Sequence, residues 1–157
     1  MNKKTTKQIS SQRSLYLIDA ENAVGTSHLT EAQVAKVRTT TFDLTYPGKN
    51  DQVYVATSHH NMEAASFGWP QAQHEFLSGE DGADFLIIKK MIDVGNAVNF
   101  EKVYLASGDG CYTECVNFLM LAGVKVTILA RRGSLAAELK ATGAEIIWLD
   151  ADYALAA

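Results

Sequence analysis

The sequence predicts a three-layer α/β/α fold built on a mainly parallel central sheet. Three observations carry that expectation. Short apolar runs of strand composition alternate with helix-periodic segments between Leu15 and Leu149. Glycines stand where the later helices should stop, at Gly123 and Gly143. Compact acidic turns follow two strands, Asp19-Ala20-Glu21-Asn22 and Ser107-Gly108-Asp109-Gly110. Such alternation implies βαβ units, right-handed crossovers and helices on both faces of the sheet.

Taken in order, residues 1–13 are polar and aperiodic, a flexible arm made basic by Lys3, Lys4, Lys7 and Arg13. Residues 14–157 then form a single domain. LYLID reads as a buried strand closed by an acid. HLTEAQVAKVRTTTFDL has helical spacing, and Thr30 with Gln33 matches a capping box. QVYVAT is a second strand, rich in β-branched and aromatic residues. SHHNMEAASFGW is a short helix or loop that Pro70 ends. HEFLSG is a weaker strand, and ADFLIIKKMIDVGNAV a helix opened by an acid. KVYLAS is a strand, and Gly110 to Leu121 a helix closed by Gly123. VKVTILA (strand), SLAAELKATG (helix ended by Gly143) and EIIWL (strand) complete the chain.

The bulk numbers agree with one ordinary domain. The chain has 157 residues, 47% hydrophobic and 20% charged, with only two prolines and so no proline-rich linker to divide it. Its apolar runs fall far short of the roughly 20 residues that span a bilayer. LYLI is cut off by Asp19 before it reaches signal-peptide length, so a cytoplasmic protein without a membrane role is expected. Cys111 and Cys115 stand four apart on one helix, which suits reduced thiols better than a disulfide framework.

In parallel α/β sheets functional groups gather at the carboxyl ends of strands, near the reversal of strand order. Asp19 and Asp109 follow strands, and Asp84 opens a helix at the same end of the molecule. The three carboxylates are therefore expected to converge. Such oxygen ligands suit Mg²⁺ or Mn²⁺, and a cation relieves their mutual repulsion. A metal held there polarises a phosphodiester and activates water. Asn22 is a candidate to orient substrate or water, and Ser107 to donate to a phosphate or a neighbouring carboxylate. Each acid also has a plainer reading, as a turn residue or helix cap; their shared location is what favours a site. Lys89, Lys90, Arg131 and Arg132 are candidate phosphate contacts, although the net charge of −4 argues mildly against nonspecific nucleic-acid binding. His59, His60 and His74 read as loop residues, and Phe67 and Trp69 as packing groups.

These segments also resemble a family. LIDAEN is similar to the strand and D-x-x-N that open NYN domains. GADFLIIKKMID resembles the family's central helix, and LASGDGCYTECVNFLMLAGVKVTIL its S-G-D-x-D segment with the following helix, glycine and strand. The resemblance runs from about Leu15 to Leu149 and implies a PIN-like fold. It further implies a metal-dependent endoribonuclease that cleaves single-stranded RNA, with Asp19, Asp84 and Asp109 as metal ligands and Asn22 assisting. The sequence departs from the family at Cys111, where many members carry the second acid, and at Lys89-Lys90, where many carry another. These departures keep a second expectation open, a catalytically weakened PIN-like domain that binds RNA or protein. A homo-oligomer is a further expectation, because one small domain offers a short groove. A haloacid-dehalogenase-type phosphatase would need D-x-D after the first strand, and a Rossmann domain G-x-G-x-x-G; DAENAVG supplies neither.

Overall fold

Six short runs become the strands β1 (Ser14–Asp19), β2 (Gln52–Thr57), β3 (Gln73–Phe76), β4 (Lys102–Ala106), β5 (Lys125–Ala130) and β6 (Glu145–Trp148) in a computed structural model that describes residues 13–79 and 81–150. They form one sheet in the order β3-β2-β1-β4-β5-β6, and every neighbouring pair is parallel. The helices between them are α1 (Ala20–Val24), α2 (Glu31–Thr45), α3 (Met62–Gly68), α4 (Gly82–Ala97), α5 (Thr113–Leu121) and α6 (Ala137–Lys140). This is a three-layer α/β/α fold.

Alternation along the strands divides the core. Leu15 and Leu17 of β1 point to one face, where they meet Ile87 and Met91 of α4 and Val116 and Leu119 of α5. Tyr16 and Ile18 point to the other, against Val34 of α2 and Ala65 and Trp69 at α3. Side chains such as Leu17, Ile87 and Leu105 are wholly buried, each worth roughly 1.5–3 kcal/mol of transfer free energy. The second face is aromatic. Tyr16 stacks on Tyr104 at 4.5 Å, and Phe42 meets Trp69 edge-on at 5.5 Å. Trp69 thus packs in the core as expected, while Phe67 stays exposed.

The capping box at Thr30 and Gln33 forms in both directions, and Gly123 and Gly143 take positive φ after α5 and α6. Three expectations need correction. The acidic turn after β1 enters a short helix, α1, which Gly25 ends in the left-handed conformation. The predicted helix from Ser134 to Gly143 shrinks to α6, because the backbone stays extended at Ala136, where the N–H reaches across to Gly108 O at 2.9 Å. Arg13, placed by the sequence in a flexible arm, donates from Nε to Asn99 O at 2.9 Å and lies over Phe100. The rest of that arm lies outside the described residues.

Strand order reverses between β1 and β4, which opens a crevice at their carboxyl ends. The register sets Ile18 beside Ala106 and Asp19 beside Ala56, so Asp19 and Ser107 leave adjacent strands at about the same height.

Candidate active site

Asp19 is the last residue of β1 and is only 4% exposed. Its Oδ2 accepts from Ser107 Oγ at 3.2 Å and from Tyr112 Oη at 3.1 Å. Tyr112 lies 3.1 Å from Asp84 Oδ1 as well, so one buried phenol bridges acids from β1 and α4. Its single proton can satisfy one of them at a time. Asp109 enters from the other side. Its amide donates to Ser107 Oγ at 3.2 Å, and its Oδ1 accepts from Cys111 N–H at 3.0 Å. Oxygens of Asp84 and Asp109 and the Cys111 sulfur all lie within 4.8 Å of one another. The three predicted acids therefore line one cleft: Asp84 and Asp109 lie close together, and Asp19 is joined to them through Tyr112 and Ser107.

The loop that carries Asp109 is held from two directions. Asn22 Oδ1 accepts from Gly108 N–H at 3.0 Å, and Gly108 O accepts from Ala136. A Cβ on Gly108 would collide with Ser134 O, so this position requires glycine. Ser107 thus spends its hydroxyl inside the site, on Asp19 and Asp109. Asn22 spends its Oδ1 on the loop, while its Nδ2 makes no hydrogen bond to a described residue and its side chain lines the cleft.

The electrostatics follow from burial and like charge. Asp19 is pushed up from 3.8 to about 7, first by burial and then by the Asp84 charge, against the pull of its hydroxyl donors. Asp84 is raised by burial, offset in part by Tyr112, and by the charges of Asp109 and Asp81. Burial and the same acids push the Cys111 thiol and the Tyr112 phenol up. Among the described residues no lysine or arginine forms an ion pair with these acids. Oxygen-rich and short of positive charge, the cleft suits a small divalent cation: Asp84, Asp109 and Cys111 are close enough together to share one, and Asp19 stands outside that trio, joined to it through Tyr112 and Ser107.

The acids open onto a cavity of about 800 Å³. Of the four cationic residues proposed from the sequence, Arg131 lines it and Lys89, Lys90 and Arg132 do not. Lys89 and Lys90 lie further along α4, where Lys90 sits over the Tyr54 ring at 5.1 Å; Arg132 follows β5 and sits over Trp148 at 5.7 Å. His59 and His60 do reach the cavity wall, where His60 Nε2 donates to Ser27 O at 2.6 Å. His74 instead donates to Trp69 O. The sequence reading missed Tyr112 and Glu21. Glu21 Oε1 accepts from Ser58 N–H and Asn61 Nδ2 at 2.8 and 2.9 Å, which ties α1 to the segment after β2. Tyr112 stands three residues after Asp109 and carried no distinguishing pattern.

No family model matches the chain, and no curated protein matches it. Among solved structures it is similar to a protein of unknown function from Vibrio parahaemolyticus, with 15% identity and a TM-score of 0.58. The match covers 91% of this chain and 96% of that one. At this identity the likeness concerns the fold.

Proposed function

We propose that the protein is a metal-dependent endoribonuclease of the PIN-like, NYN type that hydrolyses phosphodiester bonds of single-stranded RNA. One observation carries the reading: Asp19, Asp84 and Asp109, far apart in sequence, share one hydroxyl-linked cluster at the switch point of a parallel sheet. Asp19, Asp84 and Asp109 would hold Mg²⁺ or Mn²⁺. The ion, when bound, supplies Lewis-acid polarisation of the phosphodiester and a more acidic water. Ser107 and Tyr112 keep the Asp19 carboxylate turned into the cluster. Asn22 keeps the Gly108 loop, and with it Asp109, in reach. Water is the nucleophile and no covalent enzyme intermediate forms.

The test is cleavage of a labelled single-stranded RNA pool with Mn²⁺, with Mg²⁺ and with EDTA, for wild type and Asp109→Asn. Cutting should require the metal and fall roughly a thousandfold in the variant, the factor that several kcal/mol of transition-state stabilisation represents. Folded protein that binds RNA but cuts none with either ion would move the assignment to the binding module. Cutting unchanged in the variant would place the chemistry elsewhere.

A further inference from the structure

The acidic cleft has a neighbour. A second cavity of about 270 Å³ lies beyond the end of α1, with apolar walls from Ala23, Val24, Val37 and Leu149 and a polar side that includes Gln33, Lys36, Thr40 and Asp150. Arg131 lines both cavities. Among the described residues it is also the one lysine or arginine that lines the acidic cleft.

Its placement is specific. Arg131 Nε donates to Asn22 O at 3.0 Å, and the guanidinium lies against Gly25. A Cβ there would stand 2.6 Å from Arg131 Cζ, so glycine is what lets the guanidinium lie against the end of α1. Asn22 is shared, since its side chain holds the Gly108 loop while its carbonyl holds Arg131. The position of Arg131 is thus set by the same residue that helps set Asp109. The terminal nitrogens of Arg131 make no hydrogen bond to another described residue, and they form a planar fork that matches phosphate oxygens.

We propose that the smaller cavity is a nucleobase subsite and that Arg131 holds the phosphate joining that nucleotide to the cleaved position; this rests on the RNA-cleaving function proposed above. A polyanion entering a cleft lined by Asp19, Glu21, Asp81, Asp84 and Asp109 gains from a fixed positive charge beside the one a metal held by the acids would supply. Arg131 supplies that fixed charge at the rim. The apolar walls beyond it suit the faces of a base, and the Gln33 Nε2, whose Oε1 is held by Thr30 N–H, and the lone pairs that Asp150 keeps beside its bonds from Arg132 N–H suit its hydrogen-bonding edge. The substrate is therefore an oligonucleotide that extends at least one nucleotide past the cut. A mononucleotide ester lacks both contacts. Arg131 acts in binding, so its loss raises KM and leaves kcat nearly unchanged.

The experiment is Mn²⁺-dependent cleavage of one RNA oligonucleotide and of a set with a single abasic residue at successive positions. Wild type, Arg131→Gln and Val37→Phe, which fills the smaller cavity, are compared. For wild type, one abasic position flanking the cut should raise KM by about tenfold, the scale of one base contact. Arg131→Gln should raise KM on the intact strand by about tenfold, the scale of one charge-assisted contact. Val37→Phe should raise KM on the intact strand and erase the penalty at the sensitive abasic position. If Val37→Phe does not fold, the abasic scan and Arg131→Gln decide. A wild type that cuts RNA with a flat abasic scan, or an Arg131→Gln protein with wild-type KM, overturns the subsite while the nuclease stands. A wild type that cuts no RNA overturns both.

Discussion

The two edges of the sheet treat acidic residues in opposite ways. At the amino edge Asp51 accepts two backbone amides, Ser14 N–H and Gly48 N–H, each at 2.8 Å. Nearby, Lys102 pairs with Glu145 at 3.7 Å across the ends of β4 and β6. Charges there are spread out and matched. At the carboxyl edge Asp19, Asp84 and Asp109 crowd together, two of them sharing the oxygen of one tyrosine. An acid that completes a fold is met by N–H donors. An acid set among like charges, as Asp19 and Asp84 are, costs the folded protein when it is ionised.

The sharpest way to test that contrast is Asp19→Asn in EDTA. A carboxylate with a folded-state pKa raised from 3.8 to about 7 stabilises the protein in its protonated form. That contribution is complete below pH 3.8 and is lost as pH rises through 7, because over that interval the folded state holds a proton that the unfolded state has released. Metal-free wild type should therefore lose up to about 4 kcal/mol between pH 4 and pH 8. Asp19→Asn should flatten the profile and be the more stable protein at pH 8. Urea midpoints across that range measure it, and a wild-type stability that rises with pH would break the comparison.

Added ion is the next largest effect. Mn²⁺ or Mg²⁺ at about a hundred times its dissociation constant should stabilise the wild type by about 2.7 kcal/mol. The gain should grow with pH as fewer protons have to leave the acids. Thermal melts at pH 6 and pH 8 read the trend, and Asp84→Asn should remove most of it. An ion-induced shift of equal size in that variant would mean that the ion binds elsewhere.

The smallest change belongs to the amino edge. Asp51→Asn exchanges two charge-assisted bonds for at most one neutral acceptor, and should destabilise by about 1–3 kcal/mol with no response to metal. Its sign is opposite to that of Asp19→Asn. Equal signs for the two substitutions would erase the distinction between the edges.

Much of the fold was legible in the chain because its signals are local. Short apolar and β-branched runs marked all six strands, HEFLSG most weakly, and the Thr30 capping box and Gly123 marked helix ends within a few residues. The carboxyl-edge rule then pointed to Asp19, Asp84 and Asp109, which do converge. Charge was the poorer guide. Lys89-Lys90 and Arg131-Arg132 look alike as dipeptides, yet Arg131 alone among the four lines the cleft. Which way a long side chain turns depends on what its own face packs against, and Tyr54 and Trp148 draw Lys90 and Arg132 away.

What the sequence by itself determined is the list of elements, their order and the acids at the strand ends, since periodicity, capping and glycine stops act over a few residues. Tertiary structure decided how strands far apart in the chain are paired. That pairing places β1 against β4, brings Ser107 and Tyr112 onto Asp19, and sets Asn22 between Gly108 and Arg131. No local pattern encodes those contacts, because each joins residues 86 to 109 positions apart, and they form only once the whole sheet has chosen its order.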